Sequence, residues 1–428
     1  MKTLNSLNNK FLFFIFILTS FHCKAQWNAV YEKDSIVNLG MHFTNDSVGY
    51  VVGYKLNTSG HNVGQVLKTS DGGNNWSVIL EGTTQTPNPA SYLQFSSVYF
   101  PTNNIGYVGA KFNKILKTVD AGQTWQEQLL PFSPPIFDTR LIYCTDSLTC
   151  FAGKAYFFKT FDGGLNWVVD SNASPTEDVS FPSPNRGYGI WSNTIDGGNS
   201  WSNYQFPSSL YASYSCINFI NDSLGWVGGM GQDGSPNFNF GTIAKTTDYG
   251  QNWIQTNFQY EMLAIRDLFF INDLVGWACG NGQSGNSRQI MKTIDGGLNW
   301  HKQFLNYTTN YSAVTQMQCL NDSLCYAISG WQVFKTTNSG GQMIGLGINE
   351  PKKENSLIVS PNPSNQFIKL QNVDINSTIN ILNAKGALQI VTSIKSKNEI
   401  DISNLKSGMY FIQVVSNYKI ETAKFIKE

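Results

Sequence analysis

The sequence predicts an all-β protein in which a seven-bladed β-propeller is followed by a small immunoglobulin-like β-sandwich. One nine-residue phrase recurs seven times, at spacings that suit four short strands per copy. No helical periodicity lies between the copies. In addition, 38 glycines and many Asn, Ser and Thr residues separate short apolar runs, which is typical of a chain rich in hairpins.

The chain opens with a segment that has the form of a secretory signal peptide, residues 1–25. Lys2 and Lys10 precede an apolar run over residues 11–18, and Ala25 follows shortly before the mature chain begins. The apolar run is too short to span a bilayer, and no other long apolar segment follows it. We therefore expect export across the inner membrane and no transmembrane segment in the mature chain.

The repeated phrase reads Lys-Thr-x-Asp-Gly-Gly-x-Asn-Trp in its clearest copies. Its acidic positions lie 49, 42, 34, 52, 47 and 43 residues apart, with an Asn in the last copy. They are Asp71, Asp120, Asp162, Asp196, Asp248, Asp295 and Asn338. A second phrase, in which a Phe and a Gly bracket a tight turn, precedes most copies. Each unit therefore reads as strands A and B around the first turn, strand C ending in Lys-Thr, the Asp turn, and strand D from the Trp.

The missing strand of the last blade lies at the other end of the chain. The seventh copy lacks its Trp and strand D, whereas Trp27-Asn-Ala-Val-Tyr31 has the form of the other D strands. We expect this segment to complete blade seven, because closing the ring removes exposed strand edges. The propeller then covers residues 27–347.

The Asp phrase resembles the Asp-box, or BNR repeat, and its combination with the upstream Gly-aromatic phrase resembles the photosystem II assembly-factor-like group of BNR propellers. A carboxylate in a tight turn accepts bonds from nearby backbone N–H groups, and the glycines allow positive φ. The six aspartates are therefore expected to be structural rather than catalytic.

A different β pattern follows a polar linker at residues 348–355. It opens Ser360-Pro-Asn-Pro363, contains the strand Gly408-Met-Tyr410, and ends in a Lys-rich segment. Residues 356–428 thus resemble the type A C-terminal sorting domain of the type IX secretion system. The resemblance implies handling by the type IX machinery and a secreted or outer-surface location.

Six cysteines remain after the leader, an even number in an oxidising compartment. In blades three and seven the bracketing Phe and Gly are both replaced, which predicts the hairpin disulfides Cys144–Cys150 and Cys319–Cys325. Cys216 and Cys279 lie at one level on neighbouring blades. They are expected to form either an interblade disulfide or two buried free thiols. No His accompanies them at zinc-ligand spacing, so neither a metal nor a cofactor is expected.

Charge and catalytic residues favour binding over catalysis. Residues 27–349 carry 16 basic and 22 acidic groups, and the chain has only four arginines, so nucleic acid is not an expected partner. Asp178 and Asp267, each three residues before the Phe position, are the candidate pair for a secreted glycoside hydrolase. A structural or solvated role, with Arg266 beside Asp267, is the other interpretation.

Uneven loop lengths indicate a binding face. The B/C loops expand in blades one, five and six, and exposed aromatics among polar groups suit recognition of a sugar or a peptide. The candidate ligand-binding residues are Tyr54, His61, Asp233, Phe238, Phe240, Arg288 and Trp331. We therefore expect a non-catalytic binding protein whose partner is a glycan or another surface protein.

Overall fold

The computed structural model describes residues 27–428, except for 57–61, 83–92, 132–137, 154–155, 172–176, 204–211, 233–238, 259–261, 283–286, 307–311, 341–356, 372, 374–376, 384–386, 394–398 and 417–418. The predicted signal peptide, the whole predicted linker, and the candidates His61, Asp233 and Phe238 lie outside the described residues.

Seven sheets form the propeller. In blades one to six, four antiparallel strands run in chain order from strand A at the centre to strand D at the rim, and strands A to C of blade seven do the same. The first strand, β1 (Trp27–Glu32), precedes blade one, which contains β2 (Ile36–Phe43), β3 (Gly49–Leu56), β4 (Asn62–Thr69) and β5 (Ser77–Glu81). Blade two contains β6 (Phe95–Tyr99), β7 (Gly106–Ala110), β8 (Lys114–Thr118) and β9 (Gln126–Leu129). Blade three contains β10 (Leu141–Cys144), β11 (Cys150–Gly153), β12 (Phe157–Thr160) and β13 (Val168–Val169). Blade four contains β14 (Val179–Ser180), β15 (Gly187–Gly189), β16 (Ser192–Thr194) and β17 (Ser202–Asn203).

Blade five contains β18 (Ala212–Phe219), β19 (Gly225–Gln232), β20 (Asn239–Thr246) and β21 (Ile254–Phe258). Blade six contains β22 (Met262–Phe270), β23 (Gly276–Gly282), β24 (Arg288–Thr293) and β25 (His301–Lys302), and the short strand β26 (Leu305–Asn306) follows it. Blade seven contains β27 (Gln316–Cys319), β28 (Cys325–Ser329) and β29 (Gln332–Thr336).

The chain closes the ring as predicted, because β1 supplies strand D of blade seven. It pairs antiparallel with β29, and Trp27 is fully buried. On its outer edge, β1 also pairs in parallel with β26, which gives blade seven a fifth strand.

The turn after strand C, here called the box turn, is held by its Thr and Asp side chains. In blade one, Thr69 Oγ1 donates to Asp71 Oδ1 and accepts from the Gly73 N–H, at 2.9 and 2.8 Å. Asp71 Oδ1 also accepts from the Asn75 N–H at 2.8 Å. The same Thr–Asp contact recurs in blades two to six, and in blade seven with Asn338 in place of Asp. These carboxylates are therefore occupied within their own turns.

The paired Phe and Gly of strands A and B pack the blades against one another. A Cβ at Gly49 would lie 2.3 Å from the Phe43 ring, so the second position must be Gly when the first is Phe. The Phe ring then stacks on an aromatic ring of the preceding blade. The ring centroids of Phe43 and Tyr326, for example, lie 3.6 Å apart. The predicted disulfides Cys144–Cys150 and Cys319–Cys325 take the place of this pair in blades three and seven and are confirmed.

Cys216 and Cys279 do not form the predicted disulfide; both are free and buried. Cys216 packs in the core between blades five and six, whereas Cys279 packs in the core between blades six and seven. The sheet of blade six therefore separates the two sulfurs, although the two residues lie at one level along their strands.

The C-terminal residues form the predicted sandwich of two sheets. One sheet holds β30 (Ile358–Ser360), β31 (Phe367–Gln371) and β34 (Glu399–Asp401), and the other holds β32 (Thr378–Asn383), β33 (Leu388–Ser393), β35 (Gly408–Ser416) and β36 (Lys419–Lys427). Ile379, Ile381 and Ile412 of the second sheet pack against Ile368 and Leu370 of the first. The sandwich thus has a hydrophobic core of its own.

Candidate functional site

The A strands of all seven blades line a central channel with a cavity volume of about 480 Å³. The apolar residue two before each Phe position faces the packing between blades, and all seven are buried: Met41, Val98, Ile142, Val179, Ile217, Leu268 and Met317. The alternate residues of each strand face the channel and the next blade. These alternate residues therefore both line the channel and contact the next blade.

Side-chain acceptors on one A strand satisfy backbone donors on the next. The pairs are His42 Nδ1 with Phe100 N (3.4 Å), Asp178 Oδ2 with Ile217 N (2.9 Å), Ser180 Oγ with Phe219 N (2.9 Å), Asn218 Oδ1 with Phe270 N (3.0 Å), Asp267 Oδ2 with Met317 N (2.8 Å), Gln316 Oε1 with Met41 N (2.7 Å) and Gln318 Oε1 with Phe43 N (2.7 Å). The A strands are too far apart to pair as a sheet, so these side chains replace the missing ladder. We call them the inner latches.

Asp178 and Asp267, the candidate hydrolytic pair, are both inner latches. Asp178 also accepts from the Val179 N–H, and Asp267 from the Leu268 N–H, each at 2.8 Å. Both oxygens of each carboxyl therefore accept bonds from the backbone. This favours the structural interpretation of the two residues.

Burial at the channel wall shifts the pKa of these groups. Desolvation raises the pKa of Asp178 to about 7 and raises the pKa of Asp267 well above its usual range, with a further contribution from the charge of Asp178. Desolvation lowers the pKa of His42 to about 4, so its ring is neutral at pH 7 and Nδ1 can accept the Phe100 bond. The channel wall therefore disfavours charge of either sign.

Charged side chains occur at one mouth of the channel, four residues before the Phe position. The residues at this level are Leu39, Ser96, Arg140, Glu177, Ser215, Arg266 and Thr315. Arg140 lies 3.6 Å from Asp138 with 56% of its side chain exposed, and Arg266 donates to Asn281 at 3.1 Å. Glu177 is also exposed. This mouth opens on the face that carries the B/C and D/A loops, here called the loop face.

Three blades stand taller than the others on the loop face. The B and C strands have eight residues each in blades one and five, and seven and six in blade six, against three each in blade four. Because every B strand starts, and every C strand ends, at the level of the tight turns, the extra residues extend only toward the loop face. Blades five and six, and blade one beyond the shorter blade seven, therefore form a wall with one gap on one side of the channel mouth.

Two of the predicted ligand contacts lie beside this mouth. Tyr54 is half-buried on β3 and pairs with Val37. Trp331 is half-buried in the turn between β28 and β29, where Gly330 O accepts from the Asn38 N–H at 2.8 Å. Tyr50 and Val52 of β3 pack toward blade two, so by strand alternation the Tyr54 side chain points to that side, whereas the Trp331 turn contacts β2 from blade seven. The structure therefore places the two aromatic residues on neighbouring parts of the loop face without bringing their side chains together.

Phe240 and Arg288 are not exposed, which corrects their prediction as ligand contacts. The Phe240 ring is 4% exposed and covers Gly231, where a Cβ would lie 2.6 Å from it. Arg288 is 3% exposed; it donates to Gln332 of blade seven and lies 5.4 Å from the Phe334 ring centroid. Arg288 joins two blades, because a guanidinium can bond to an amide and stack on an aromatic ring together.

Sequence reasoning missed a second set of contacts between blades, although its signal was visible. The Lys that opens the repeated phrase donates to a carbonyl of the next box turn, as Lys68 does to Ala121 at 2.9 Å and Lys335 to Gly72 at 2.7 Å. The other examples are Lys117, Lys159, Lys245 and Lys292. A recurring Lys beside a structural turn indicates such a contact.

The described residues contain no group of three or more His, Cys, Asp or Glu side chains that could hold a metal ion. They also contain no helix that is long and apolar enough to cross a membrane.

Comparisons with known proteins confirm both predicted resemblances. Residues 359–428 match the secretion system C-terminal sorting domain, and residues 20–167 match the family of the photosynthesis system II assembly factor YCF48. No curated protein matches the chain. The sorting domain places the protein outside the cell or on its outer surface, and implies interaction with the type IX secretion machinery.

Solved structures support the fold. A YCF48 solved bound to a D1 peptide has a TM-score of 0.54 at 19% identity over 73% of this chain and 97% of its own. YCF48 from Cyanidioschyzon merolae has a TM-score of 0.51 at 17% identity, over 74% of this chain and 100% of its own. PorZ of Porphyromonas gingivalis has a TM-score of 0.45 at 13% identity, over 91% of this chain and 59% of its own. The two YCF48 structures show the β-propeller fold.

Proposed function

We propose that this chain is a non-catalytic binding protein that acts outside the cell or on its surface, with its ligand site at the channel mouth on the loop face. The observation that carries the proposal is the one-sided wall of blades one, five and six. Blades of equal height would leave this face flat. The longer strands instead enclose one side of the channel mouth. Concave surfaces of this kind are the usual ligand sites of rigid scaffolds.

The chemistry of the mouth suits a polar ligand of modest charge. Arg140 and Arg266 supply guanidinium donors and Glu177 supplies an acceptor at the mouth, while Tyr54 of blade one and Trp331 of blade seven supply aromatic surface elsewhere on the loop face. A glycan or a peptide segment of another surface protein would use such a mixture. The YCF48 structure bound to a D1 peptide adds support for a peptide.

The test is a screen of the purified protein against glycan and peptide arrays, repeated with Tyr54→Ala and Trp331→Ala. Loss of an aromatic contact in a binding site should weaken binding by about tenfold. Trp191→Ala is the matched control, because Trp191 is 36% exposed in the B/C turn of blade four, on the loop face but away from the taller blades. Binding that survives both loop-face substitutions, or that falls equally in the control, would count against the proposed site.

The second candidate is a secreted glycoside hydrolase that uses Asp178 and Asp267. The raised pKa of Asp178, about 7, is the property in its favour, since a general acid must be protonated near neutral pH. The backbone bonds to all four carboxyl oxygens count against it. Glycan turnover that is lost in both Asp178→Asn and Asp267→Asn would favour the hydrolase over the binding protein.

A further inference from the structure

The inner latches use their acceptor atoms on the neighbouring blade, so the polar atoms that they have left are donors. His42 accepts the Phe100 N–H through Nδ1, which places the proton of the neutral ring on Nε2. Gln316 accepts the Met41 N–H through Oε1, which leaves its amide nitrogen as a donor of two hydrogens. The channel wall therefore presents donors where its acceptors are already occupied.

Three uncharged donors come together where blades seven, one and two meet the channel. The Gln316 side chain crosses from blade seven to Met41, the residue before His42. The ring of His42 lies 4.3 Å from the ring of Tyr99 in blade two, measured between the centroids. All three side chains line the central cavity and are half-buried. We call Gln316, His42 and Tyr99 the donor group.

The hydrogens of the donor group are not used within the part of the chain that the structure describes. No described residue bonds to the Tyr99 hydroxyl, to Nε2 of His42 or to the amide nitrogen of Gln316. Desolvation lowers the pKa of His42 to about 4 and raises the pKa of Tyr99 above its usual range. Both side chains are therefore uncharged donors near neutral pH.

A chemical group that only accepts hydrogen bonds matches such a wall. A sugar hydroxyl or an amide N–H would bring a donor of its own, and the latch acceptors beside it are already occupied. A carboxylate has acceptors only, and its hydrogen bonds are about twice as strong as those between neutral groups. These bonds offset the desolvation that otherwise disfavours charge in the channel.

The charges above the donor group suit an anion that enters from the loop face. Arg140 and Arg266 are exposed at the mouth of the channel, against Glu177 at the same level. This level lies one residue above Gln316 and three above His42 and Tyr99, which is about 3 to 10 Å of strand. An anion would thus pass two guanidinium groups before it reached the donor group.

Asp267 is an acid beside the donor group, because it bonds to the Met317 N–H next to Gln316. Its other carboxyl oxygen accepts from the Leu268 N–H. Burial raises the pKa of Asp267 well above its usual range, with a further contribution from the charge of Asp178. The raised pKa limits the negative charge of Asp267, so it repels a bound anion less than an exposed aspartate would.

We propose that the donor group binds a carboxylate of the ligand that enters the channel mouth. The cavity volume of about 480 Å³ is within the range of small-ligand pockets. The inference rests on the proposed function, since it names the chemical group by which that ligand is held below the mouth.

The experiment measures the binding of glucuronate to the purified full chain by calorimetry, with glucuronamide as its uncharged match. Acetylalanine and its amide form a second pair, which distinguishes a sugar acid from a peptide carboxylate as the source of the group. We expect one of the acids to bind, and its amide to bind at least about tenfold more weakly. Absence of binding by both acids, or equal binding of acid and amide, would overturn the proposal.

Tyr99→Phe removes one donor and keeps the ring beside His42, so the affinity for the acid should fall about tenfold. Tyr249→Phe is the matched control, because Tyr249 is 47% exposed in the box turn of blade five and does not line the channel. An affinity that Tyr99→Phe leaves unchanged counts against the donor group.

Two further measurements keep this inference separate from the proposed function. If Tyr54→Ala and Trp331→Ala abolish binding to an array ligand while neither small acid binds, the loop-face site stands and the donor group fails. Nuclear magnetic resonance of the His42 ring gives a readout that does not depend on affinity. We expect the proton on Nε2 and a shift of its signal when the acid is added, whereas a proton on Nδ1 would overturn the proposal.

Discussion

Gln316 of blade seven accepts a hydrogen bond from the backbone N–H of Met41 in blade one, at 2.7 Å and across 275 positions of sequence. Gln318 repeats this contact two residues further on, with Phe43. The junction between the two ends of the chain is therefore built like the junctions within it. The last blade is joined to the first by side chains as well as by β1.

Removal of β1 should destabilise the ring. A chain that starts at Asp34 loses the buried Trp27 and the pairing of β1 with β29. Loss of a buried Trp alone costs about 3 to 5 kcal/mol, so the melting temperature should fall by several degrees. Thermal unfolding measures the effect, with a chain that starts at Gln26 as control. Equal melting temperatures would show that β1 does not complete blade seven.

The inner latches should make stability depend on pH. The pKa of Asp178 is about 7 in the folded protein and about 4 in an unfolded chain, so the folded state holds the extra proton between these values. The contribution of Asp178 to stability is then fully present below about pH 4 and is lost as the pH rises toward and through 7. His42 contributes in the opposite sense, because its pKa falls from about 6.5 in an unfolded chain to about 4 in the folded protein, so its contribution to stability rises between these values.

Urea unfolding at pH 5 and at pH 8 checks this expectation. Asp178→Asn cannot titrate, so the difference between the two pH values should shrink in the variant. The variant should stay within about 1 kcal/mol of the native chain at pH 5, since a protonated carboxyl and an amide each offer one good carbonyl acceptor. An unchanged pH dependence would mean that Asp178 is not the titrating group.

The hairpin disulfide of blade three should be replaceable by the repeat's own pair. Cys144→Phe with Cys150→Gly recreates the arrangement of Phe43 and Gly49, and the new ring can stack on Tyr107 of blade two as Phe100 does on Tyr50. We expect the double variant to stay within about 2 kcal/mol of the native chain under reducing conditions. Cys144→Phe alone should be much less stable, because the Cβ at position 150 then meets the ring. Equal stability of the single and double variants in denaturant unfolding would contradict this account.

Removal of residues 356–428 should stop export at the periplasm of a type IX-competent host. The sorting domain supplies the signal for the last step, and the remaining propeller keeps its own core. Fractionation of the cells measures the distribution, and a full-length chain with Val391→Asp, at a side chain that is 59% exposed, is the control for a mere surface change. Undiminished release of the truncated protein would remove the sorting role.

The structural roles of residues in the repeated phrase were predictable from the sequence. The roles of residues that contact another blade were not. The seven box turns and Trp27 follow from the repeated phrase. The inner latches use His, Asp, Ser, Asn and Gln at equivalent positions, so no single residue type marks them in the sequence. Arg288 was placed at a ligand site because its partner Gln332 lies 44 residues away in another blade. Cys216 and Cys279 were paired by level alone, which does not reveal on which side of blade six each one lies.

Every latch runs in one direction around the ring. The acceptor of an inner latch lies on the earlier blade and its donor on the later one, while each box-turn Lys reaches forward to the next blade. A ring built from such head-to-tail contacts has no preferred first blade, just as a cyclic oligomer has no first subunit. The break in blade seven is then only one of seven possible sites for the termini. A circular permutant opened at another D/A loop, with residues 27 and 340 bridged by a short linker, should close the same ring.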